Sequence, residues 1–269
     1  MSCLSIAIPR EPGLSPLRLS VAIIARNEAH RIERCLRSVA FADEIVVLDS
    51  GSTDDTVAIA RRCGARVESS DGWPGYGPQK NRALALASGE WVFSIDADEE
   101  VTPELAAAIR SAIARPRFDG YWVRRASSFC GRVIRHGDWR NDRVLRLFQR
   151  AAGRFSDDVV HERVLVPPPH GELAGLLLHD SVDSIEDGRR KMLEYARLGA
   201  ARLRARGRGG LMSAWLHGGW TFVRGYLLRL GILDGWRGLM IARLNARGTY
   251  LRYRLAGSAA DESTLEHTR

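Results

Sequence analysis

The chain has 269 residues, 45% of them hydrophobic and 27% charged, and a formal net charge of +8. This length suits one large domain, or a catalytic domain with an appended segment, and the composition excludes a disordered or collagen-like chain. The net charge alone would be typical of a nucleic-acid- or membrane-binding protein, but it is unevenly distributed. Residues 1–120 carry 14 basic and 17 acidic side chains, whereas residues 189–254 carry 15 basic and two acidic ones. The excess positive charge therefore belongs to one segment.

The cysteines and the lengths of the apolar segments indicate in which cellular compartment the protein is expected. The four cysteines contain no Cys-x-x-Cys pair, which favours a reduced, cytosolic setting over a disulfide framework. We interpret residues 1–18 as a loose tail, because they lack the basic start and unbroken apolar core of a signal peptide. No window of about 18 residues is apolar and uncharged, so the sequence predicts no membrane span.

Predicted strands and helices alternate from residue 19 onward. Runs rich in apolar residues at 21–25, 44–49 and 91–95 predict strands, and residues 66–68 (Arg-Val-Glu) predict a short one. The Gly/Pro-rich residues 71–78 predict a loop. Helices are predicted at 56–63, at 80–87, in the stretch that begins with Thr102 and Pro103, and where four apolar residues have helical spacing: Ile32, Cys35, Leu36 and Val39. This alternation predicts an α/β fold, with a mostly parallel sheet flanked by helices and right-handed crossovers.

Later segments complete the predicted organisation. Strands near 121–123, 144–148 and 164–166 predict a mixed β extension, so we place one catalytic domain at residues 19–184. Residues 185–256 have a basic helical pattern, and residues 257–269 are a polar tail. The arginines and aromatic residues of 185–256 fit an interfacial helix on an anionic membrane; a helical subdomain packed on the catalytic core is the alternative. A nucleic-acid-binding surface is a third interpretation, which no recognised module supports.

Polar side chains at the ends of the first two strands, and after the Gly/Pro loop, are candidates for binding a nucleotide, since ligands bind at the carboxyl ends of such strands. Asn27 and Glu28 could line the pocket or cap the next helix. Asp49 is expected to accept a hydrogen bond from a base or ribose, with a purely structural turn as the alternative. Lys80 and Arg82 are expected to reach a diphosphate, with a solvated helix face as the alternative.

Two carboxylates follow the fourth predicted strand. Asp96 and Asp98 alternate along the chain, which predicts that their side chains point to the same side, a few Å apart. Two unpaired carboxylates at that separation repel, and a divalent cation removes the repulsion; oxygen ligands select Mg²⁺ or Mn²⁺. We therefore expect metal or nucleotide binding by Asp96 and Asp98. A solvated acidic turn is the alternative, and we assign Glu99 and Glu100 to such a turn.

Several of these segments together resemble family 2 glycosyltransferases of GT-A fold: Val21 to Glu28, residues 45–54, Lys80-Asn81-Arg82, and residues 91–99 with Asp96-Ala97-Asp98. The resemblance implies a nucleotide-sugar donor, Asp49 near its base, and an Asp-x-Asp motif that holds a metal on the donor diphosphate. Residues 160–162 (Val-His-Glu) and 225–235 are similar to bacterial lipopolysaccharide core glycosyltransferases of the β-1,4-glucosyltransferase type. That similarity covers most of residues 19–255.

Inversion at an α-linked nucleotide sugar requires a general base that deprotonates the acceptor hydroxyl. Carboxylates cluster at 156–162, and the resemblance also points to Glu162, so we expect Glu162 to be the base, with Asp158 as the second candidate. Glu162 as a salt-bridge partner of an arginine is the alternative. His161 could contact a metal or phosphate, or be a structural histidine. Four further residues could bind an anionic acceptor or a donor phosphate, although strand alternation requires some to be exposed: Arg140, Arg143, Arg146 and Arg150.

The sequence therefore predicts a metal-dependent, inverting hexosyltransferase. We expect it to work peripherally on the cytoplasmic face of the inner membrane, transferring glucose from a UDP donor to an anionic glycolipid, the lipopolysaccharide core. Transfer to a polyprenyl phosphate or another envelope glycan is the rival within this class. A nucleotidyltransferase is a weaker rival, because the usual Gly-rich phosphate loop near the first strand is missing. A non-catalytic membrane- or nucleic-acid-binding module is the rival of another class.

Overall fold

The structure, a computed structural model, describes residues 18–140, 142–157 and 162–258. Its first half alternates strands and helices as predicted. The elements are β1 (Leu19–Ala25), α1 (Ile32–Ser38), β2 (Glu44–Asp49), α2 (Thr56–Arg62), β3 (Arg66–Ser69), α3 (Tyr76–Leu86) and β4 (Trp91–Ser94). The strands are parallel in the order β3-β2-β1-β4, which places the carboxyl ends of β1, β2 and β4 at one edge of the sheet.

The second half extends the sheet through antiparallel pairs. Its elements are β5 (Glu99–Val101), α4 (Pro103–Ala114), β6 (Gly120–Phe129), β7 (Arg132–Val133), β8 (Asp142–Gln149), β9 (Arg154–Phe155), β10 (Val164–Leu165) and β11 (Gly171–Val182). β8 pairs antiparallel with β4 and β6, and β5 pairs antiparallel with β11. The order β3-β2-β1-β4-β8-β6-β11-β5 confirms an α/β sheet with a mixed extension.

Apolar side chains on both faces of the parallel strands explain why this half folds. Ile23, Trp91 and Phe93 are fully buried with the apolar stripes of α1 and α4 on one face. Val92 and Phe148 are buried on the other face, together with α3. Strands covered on both faces require continuous apolar runs, which is the pattern of residues 21–25 and 91–95.

The start of α3 differs from the prediction of a loop over residues 71–78. The helix begins at Tyr76, directly after Gly75, whose positive φ of 115° favours glycine. Pro78 lies in the first turn, where the missing N–H of proline removes no hydrogen bond of the helix. The earlier start places Gln79 and Lys80 inside a helix with a buried face.

Contacts divide the chain into two compact units. The first consists of the described parts of Met1–Arg125 and Asn141–His179. The second consists of the described parts of Ala126–Arg140 and Asp180–Arg269. The alternating pattern of the sequence does not indicate that Ala126–Arg140 groups with the C-terminal helices. The boundaries predicted at residues 18, 184 and 256 stay predictions.

The second unit contains three long helices, α5 (Ile185–Ala205), α6 (Leu211–Val223) and α7 (Gly235–Gly257), as the pattern of residues 185–256 predicts. A π-helical turn at Arg224–Leu228 and a 3₁₀ turn at Gly231–Asp234 join α6 to α7. Another 3₁₀ turn covers Gly137–Trp139. Among residues 18–140, 142–157 and 162–258, no helix combines the length and apolar character that a membrane crossing needs.

Candidate active site

Lys80 joins two of the predicted site carboxylates. Its Nζ lies 2.8 Å from Oδ1 of Asp96 and 2.7 Å from Oε1 of Glu162, and its side chain is only 5% exposed. The position on the buried face of α3 explains this burial. A lysine is rarely buried unless it is paired with an acid, so the solvated-helix interpretation of Lys80 is wrong. The pairing with Lys80 also replaces the arginine salt bridge considered for Glu162.

Asp96 lies in the turn between β4 and β5 and is held by two cations. Its Oδ1 contacts Lys80, and its Oδ2 accepts a hydrogen bond of 2.6 Å from Arg146. Burial alone would raise the pKa of Asp96, but the charges of Arg146 and Lys80 outweigh burial and hold this pKa well below its usual range. Asp96 is therefore a permanent carboxylate whose two oxygens already face cations.

Glu99 is a buried member of the same ion-pair network, not part of a solvated turn, so that prediction is wrong for Glu99. Its side chain is fully buried, and its carboxylate contacts Arg146 at 2.8 Å and Arg125 at 3.3 Å. Arg125 also binds Asp142 at 2.7 Å. Burial alone would lower the pKa of Arg146, but Asp96 and Glu99 raise it above its usual value. A buried charge of this kind is tolerated only when opposite charges surround it.

Asp98 has a different partner from Asp96. Both residues lie in the turn after β4 rather than on the strand, so strand alternation does not relate their side chains. Oδ2 of Asp98 lies 3.4 Å from Nε2 of His179, which is in β11. Carboxylate and imidazole are both ligands for Mn²⁺. The same oxygen of Asp98 lies 4.0 Å from Nη1 of Arg31. Within the described residues no group of three or more His, Cys, Asp or Glu is arranged to hold a metal.

The ends of β1 and β2 are tied together by side chains predicted to bind a nucleotide. Asn27 has a positive φ of 56°, and its Oδ1 accepts a hydrogen bond of 2.8 Å from Thr53 N. Asp49 Oδ2 accepts hydrogen bonds from the backbone N of Gly51 and Ser52, each 3.0 Å. Asp49 is 4% exposed, so its buried carboxylate stabilises the turn at Gly51 and Ser52 through these hydrogen bonds. These contacts give Asp49 the role of a structural turn residue, which is the alternative that the sequence offers to ligand binding.

The remaining predicted residues occupy separate places. Glu28 N donates to Thr56 Oγ1, and its carboxylate lies 3.7 Å from Arg31. Arg82 is exposed and donates to the Asp71 carbonyl at 3.1 Å. Other predicted residues fall elsewhere: Asp158 and His161 lie outside the described residues, Arg143 is exposed and bound to Glu172, and Arg150 binds the Gly89 carbonyl.

A model of the family described as glycosyl transferase family 2 matches residues 20–165, more than half of the chain. The chain belongs to glycosyl transferase family 2. The matched range contains the parallel strands, the turn with Asp96 and Asp98, and Glu162. The α/β sheet is accordingly the GT-A fold of a family 2 glycosyltransferase.

Curated relatives of this family 2 glycosyltransferase come from several bacteria. An uncharacterised glycosyltransferase of Rickettsia felis is 42% identical over 132 residues, which are 49% of this chain and 44% of that protein. The lipopolysaccharide core biosynthesis glycosyltransferase LpsC of Rhizobium meliloti is 35% identical over 184 residues, 61% of this chain and 63% of LpsC. The chain thus spans less than half the length of the Rickettsia felis relative.

Solved structures resemble parts of the chain. Glucosyl-3-phosphoglycerate synthase from Mycobacterium tuberculosis, crystallised with Mn²⁺, UDP-glucose and phosphoglyceric acid, is 30% identical and covers 44% of this chain and 50% of its own, with a TM-score of 0.36. Residues 1–349 of S. aureus TarS are 16% identical and cover 89% of this chain and 90% of that one, with a TM-score of 0.49.

Sequence patterns indicate only part of this candidate site. The sequence does not predict that Glu99 and His179 lie in this cluster, and it does not single out Arg146 among Arg140, Arg143, Arg146 and Arg150. Arg146 could have been found from its position, because a charged residue inside the apolar run of residues 144–148 is unusual. His179 gives no such signal, since only the antiparallel pairing of β11 with β5 places it beside Asp98.

Proposed function

We propose that this family 2 glycosyltransferase is an inverting enzyme that transfers a hexose, with glucose expected, from a UDP-linked donor to a lipopolysaccharide core or related envelope saccharide. The relative LpsC supports the acceptor class, because its name assigns it to lipopolysaccharide core biosynthesis. The observation that carries the chemistry is the carboxylate pair Glu162 and Asp96 on either side of Lys80. The proposed base and a carboxylate expected to contact the donor are thereby neighbours.

In the proposed reaction Glu162 is the general base. Its carboxylate accepts the proton of the acceptor hydroxyl while that oxygen bonds to the anomeric carbon and the bond from this carbon to the nucleotide diphosphate breaks. Lys80 is a positioning residue, since its ammonium fixes one carboxylate oxygen of Glu162 at 2.7 Å. Asp158, the second candidate base, stays an alternative outside the described residues.

We propose a divalent cation as the cofactor, Mn²⁺ or Mg²⁺. Asp98 and His179 would hold it, because their oxygen and nitrogen lie 3.4 Å apart and both side chains can ligate. The ion supplies positive charge for the leaving diphosphate. Asp96, the other carboxylate of the Asp-x-Asp motif, would bind the ion while its two oxygens also contact Lys80 and Arg146.

The donor would bind at the edge formed by the ends of β1, β2 and β4. Asn27, Glu28 and Asp49 would act there chiefly by holding the loops on which the nucleoside lies. Arg82, which is exposed at the adjacent helix, would supply positive charge to the diphosphate. Lys80, the second cation expected at the diphosphate, is already paired with Asp96 and Glu162.

The proposed place of action is the cytoplasmic face of the inner membrane, by peripheral association. Large apolar side chains on α6 support this proposal, because Met212 is 74% exposed and Trp215 is 66% exposed. Basic residues in the same unit favour an anionic surface, and the acceptor would be an anionic glycolipid within it. We propose no nucleic-acid partner.

Donor turnover across a panel of UDP-sugars, with and without Mn²⁺, tests the proposal. Wild-type protein should turn over UDP-glucose fastest and only with the metal. Glu162→Gln should bind UDP-glucose nearly normally and lose most turnover, while the matched control Glu172→Gln, an exposed acid, should behave as wild type. Turnover of Glu162→Gln within a few-fold of wild type would overturn the assignment of the base.

The same assay separates the rival functions. If UDP-sugar binds only weakly and without dependence on metal, the non-catalytic interpretation is correct. If sugar is transferred to a polyprenyl phosphate but not to a truncated lipopolysaccharide core, the acceptor class is wrong while the reaction class stands. Asp98→Asn and His179→Ala should each weaken Mn²⁺ binding, measured directly by manganese electron paramagnetic resonance.

A further inference from the structure

A cavity of about 430 Å³ in the second unit is lined by three arginines, Arg224, Arg229 and Arg252. The helices α5, α6 and α7 all contribute to its walls, and Asp138 enters from the 3₁₀ turn at Gly137–Trp139. The proposed transfer of sugar uses none of these residues. The cavity is therefore a separate feature that requires its own explanation.

The charges that line this arginine cavity do not balance. Oδ1 of Asp138 accepts a hydrogen bond of 2.7 Å from Arg229 and lies 3.3 Å from Arg224, and its Oδ2 accepts one of 3.4 Å from Asn245. Asp138 is the single carboxylate among the lining residues, against three guanidinium groups, and the others are uncharged. An excess of two positive charges around one cavity favours an anionic occupant.

Two of the arginines also have buried donors without an acceptor. Nε of Arg224 and Nε of Arg252 are buried, and among the described residues neither has a hydrogen-bond partner. Buried donors are nearly always satisfied, so these two atoms are unusual, although the Arg224 side chain as a whole is 38% exposed. Packing fixes Arg252 in place, because a Cβ at Gly199 would come within 2.4 Å of its Cδ.

The chemistry of the walls selects the kind of anion. Guanidinium groups present several N–H donors in a planar fork that matches the oxygens of a phosphate. Thr221, Thr249 and Asn245 add neutral polar groups around the same space. Arg224 also begins the π-helical turn, and such turns occur frequently at functional sites. We propose that the arginine cavity binds a phosphate group.

The phosphate could belong to a lipid headgroup or to a soluble phosphate ester. Leu211, Trp220 and Leu228, on α6 and the turn after it, are between 56% and 63% exposed, which is suited to a lipid surface. Apolar contacts alone would hold the protein on the membrane without fixing its orientation. A headgroup phosphate bound in the cavity would fix that orientation. The proposal does not rest on sugar transfer, because its readout is binding.

Binding of glycerol 3-phosphate, measured by calorimetry at constant ionic strength, tests the shared phosphate chemistry. Binding to vesicles of phosphatidylglycerol, compared with phosphatidylcholine, tests the lipid source. The variant is Arg252→Gln, and the matched control is Arg254→Gln, an exposed arginine of the same helix outside the cavity. Arg229→Gln, whose side chain is 47% exposed, replaces the variant if Arg252→Gln does not fold.

A loss of at least tenfold in affinity for glycerol 3-phosphate in the cavity variant, with the control unchanged, supports the proposal. If only glycerol 3-phosphate binding is lost, the ligand is a soluble phosphate ester; if phosphatidylglycerol binding is lost, it is a headgroup. If folded cavity variants and the Arg254→Gln control bind both probes equally well, the proposal is overturned. Both results are readable whether or not the protein transfers sugar.

Discussion

The ammonium nitrogen of Lys80 lies 2.7 Å from Oε1 of Glu162, and the same nitrogen lies 2.8 Å from Asp96. Lys80 and Glu162, which are 82 positions apart in the chain, thereby form one ion pair with a buried cation. The link explains how a carboxylate beside β10 can act at the end of β4. It also makes Lys80 the residue on which the geometry of both carboxylates depends.

The first prediction is that replacement of Lys80 impairs catalysis. In Lys80→Met, Glu162 loses its fixed position and both carboxylates lose a partner, so we expect kcat to fall by roughly 10²-fold or more. Steady-state kinetics with UDP-glucose measure the effect. The matched control is Lys191→Met, which removes the chain's other lysine from α5. Equal kcat in the two variants would contradict the positioning role.

A second prediction concerns the stability of the ion-pair network around Arg146. The variant Arg146→Met leaves Glu99 buried without its nearest cation, and loss of one partner of a buried pair typically costs about 3–5 kcal/mol. Urea unfolding followed by circular dichroism should show that loss. Arg143→Met on the same strand is the control, and its free energy of unfolding should stay within about 0.5 kcal/mol of wild type. If the free energy of unfolding of Arg146→Met also stayed within about 0.5 kcal/mol of wild type, Arg125 alone would suffice to neutralise the buried charge of Glu99.

The parallel half of the fold could be predicted because local patterns determine it. Continuous apolar runs mark buried strands, and helical spacing at Ile32, Cys35 and Leu36 marks the stripe of α1 that the structure buries. Thr102 and Pro103 likewise start α4 as expected, with Thr102 Oγ1 accepting from Leu105 N. Each of these signals lies within a few residues of the element that it specifies.

The site was only partly predictable, because its decisive contacts are long-range. Glu99 resembles a surface acid in the sequence, since four acids stand within five residues, and only Arg146 and Arg125 from other strands explain its burial. The pairing of Asp98 with His179 likewise depends on the register of β11 against β5. Sequence pattern could not reveal which carboxylate of the turn would face which cation.

A third prediction follows from the buried thiol of Cys35. Burial raises the pKa of Cys35 well above its usual value, and the negative charges of Glu99, Asp98 and Asp96 raise it further. The thiol should therefore stay protonated and unreactive toward iodoacetamide at about pH 8. Mass spectrometry should show Cys63 alkylated much faster than Cys35 in folded protein, and equal reaction in urea. Equal rates in folded protein would contradict this account.

The last prediction concerns acid stability and Glu44. Partial burial would raise the pKa of Glu44, but hydrogen bonds from Ser20 and Ser88 and the charge of Arg66 outweigh it and lower this pKa. Because the folded-state pKa lies below that of the unfolded chain, about 4.3, the ionised carboxylate stabilises the fold fully above that pH. This contribution is lost as the pH falls through the folded-state pKa.

Glu44→Gln removes that titration. Its unfolding free energy should lie furthest below wild type near neutral pH, and the gap should close as the pH falls below about 4. Urea unfolding across this range measures the gap. Glu68→Gln, which removes a more exposed acid from β3, should show a small gap at every pH, because exposed acids contribute little. A gap for Glu44→Gln that does not change with pH would mean that the side chain stabilises the fold by packing and not by its charge.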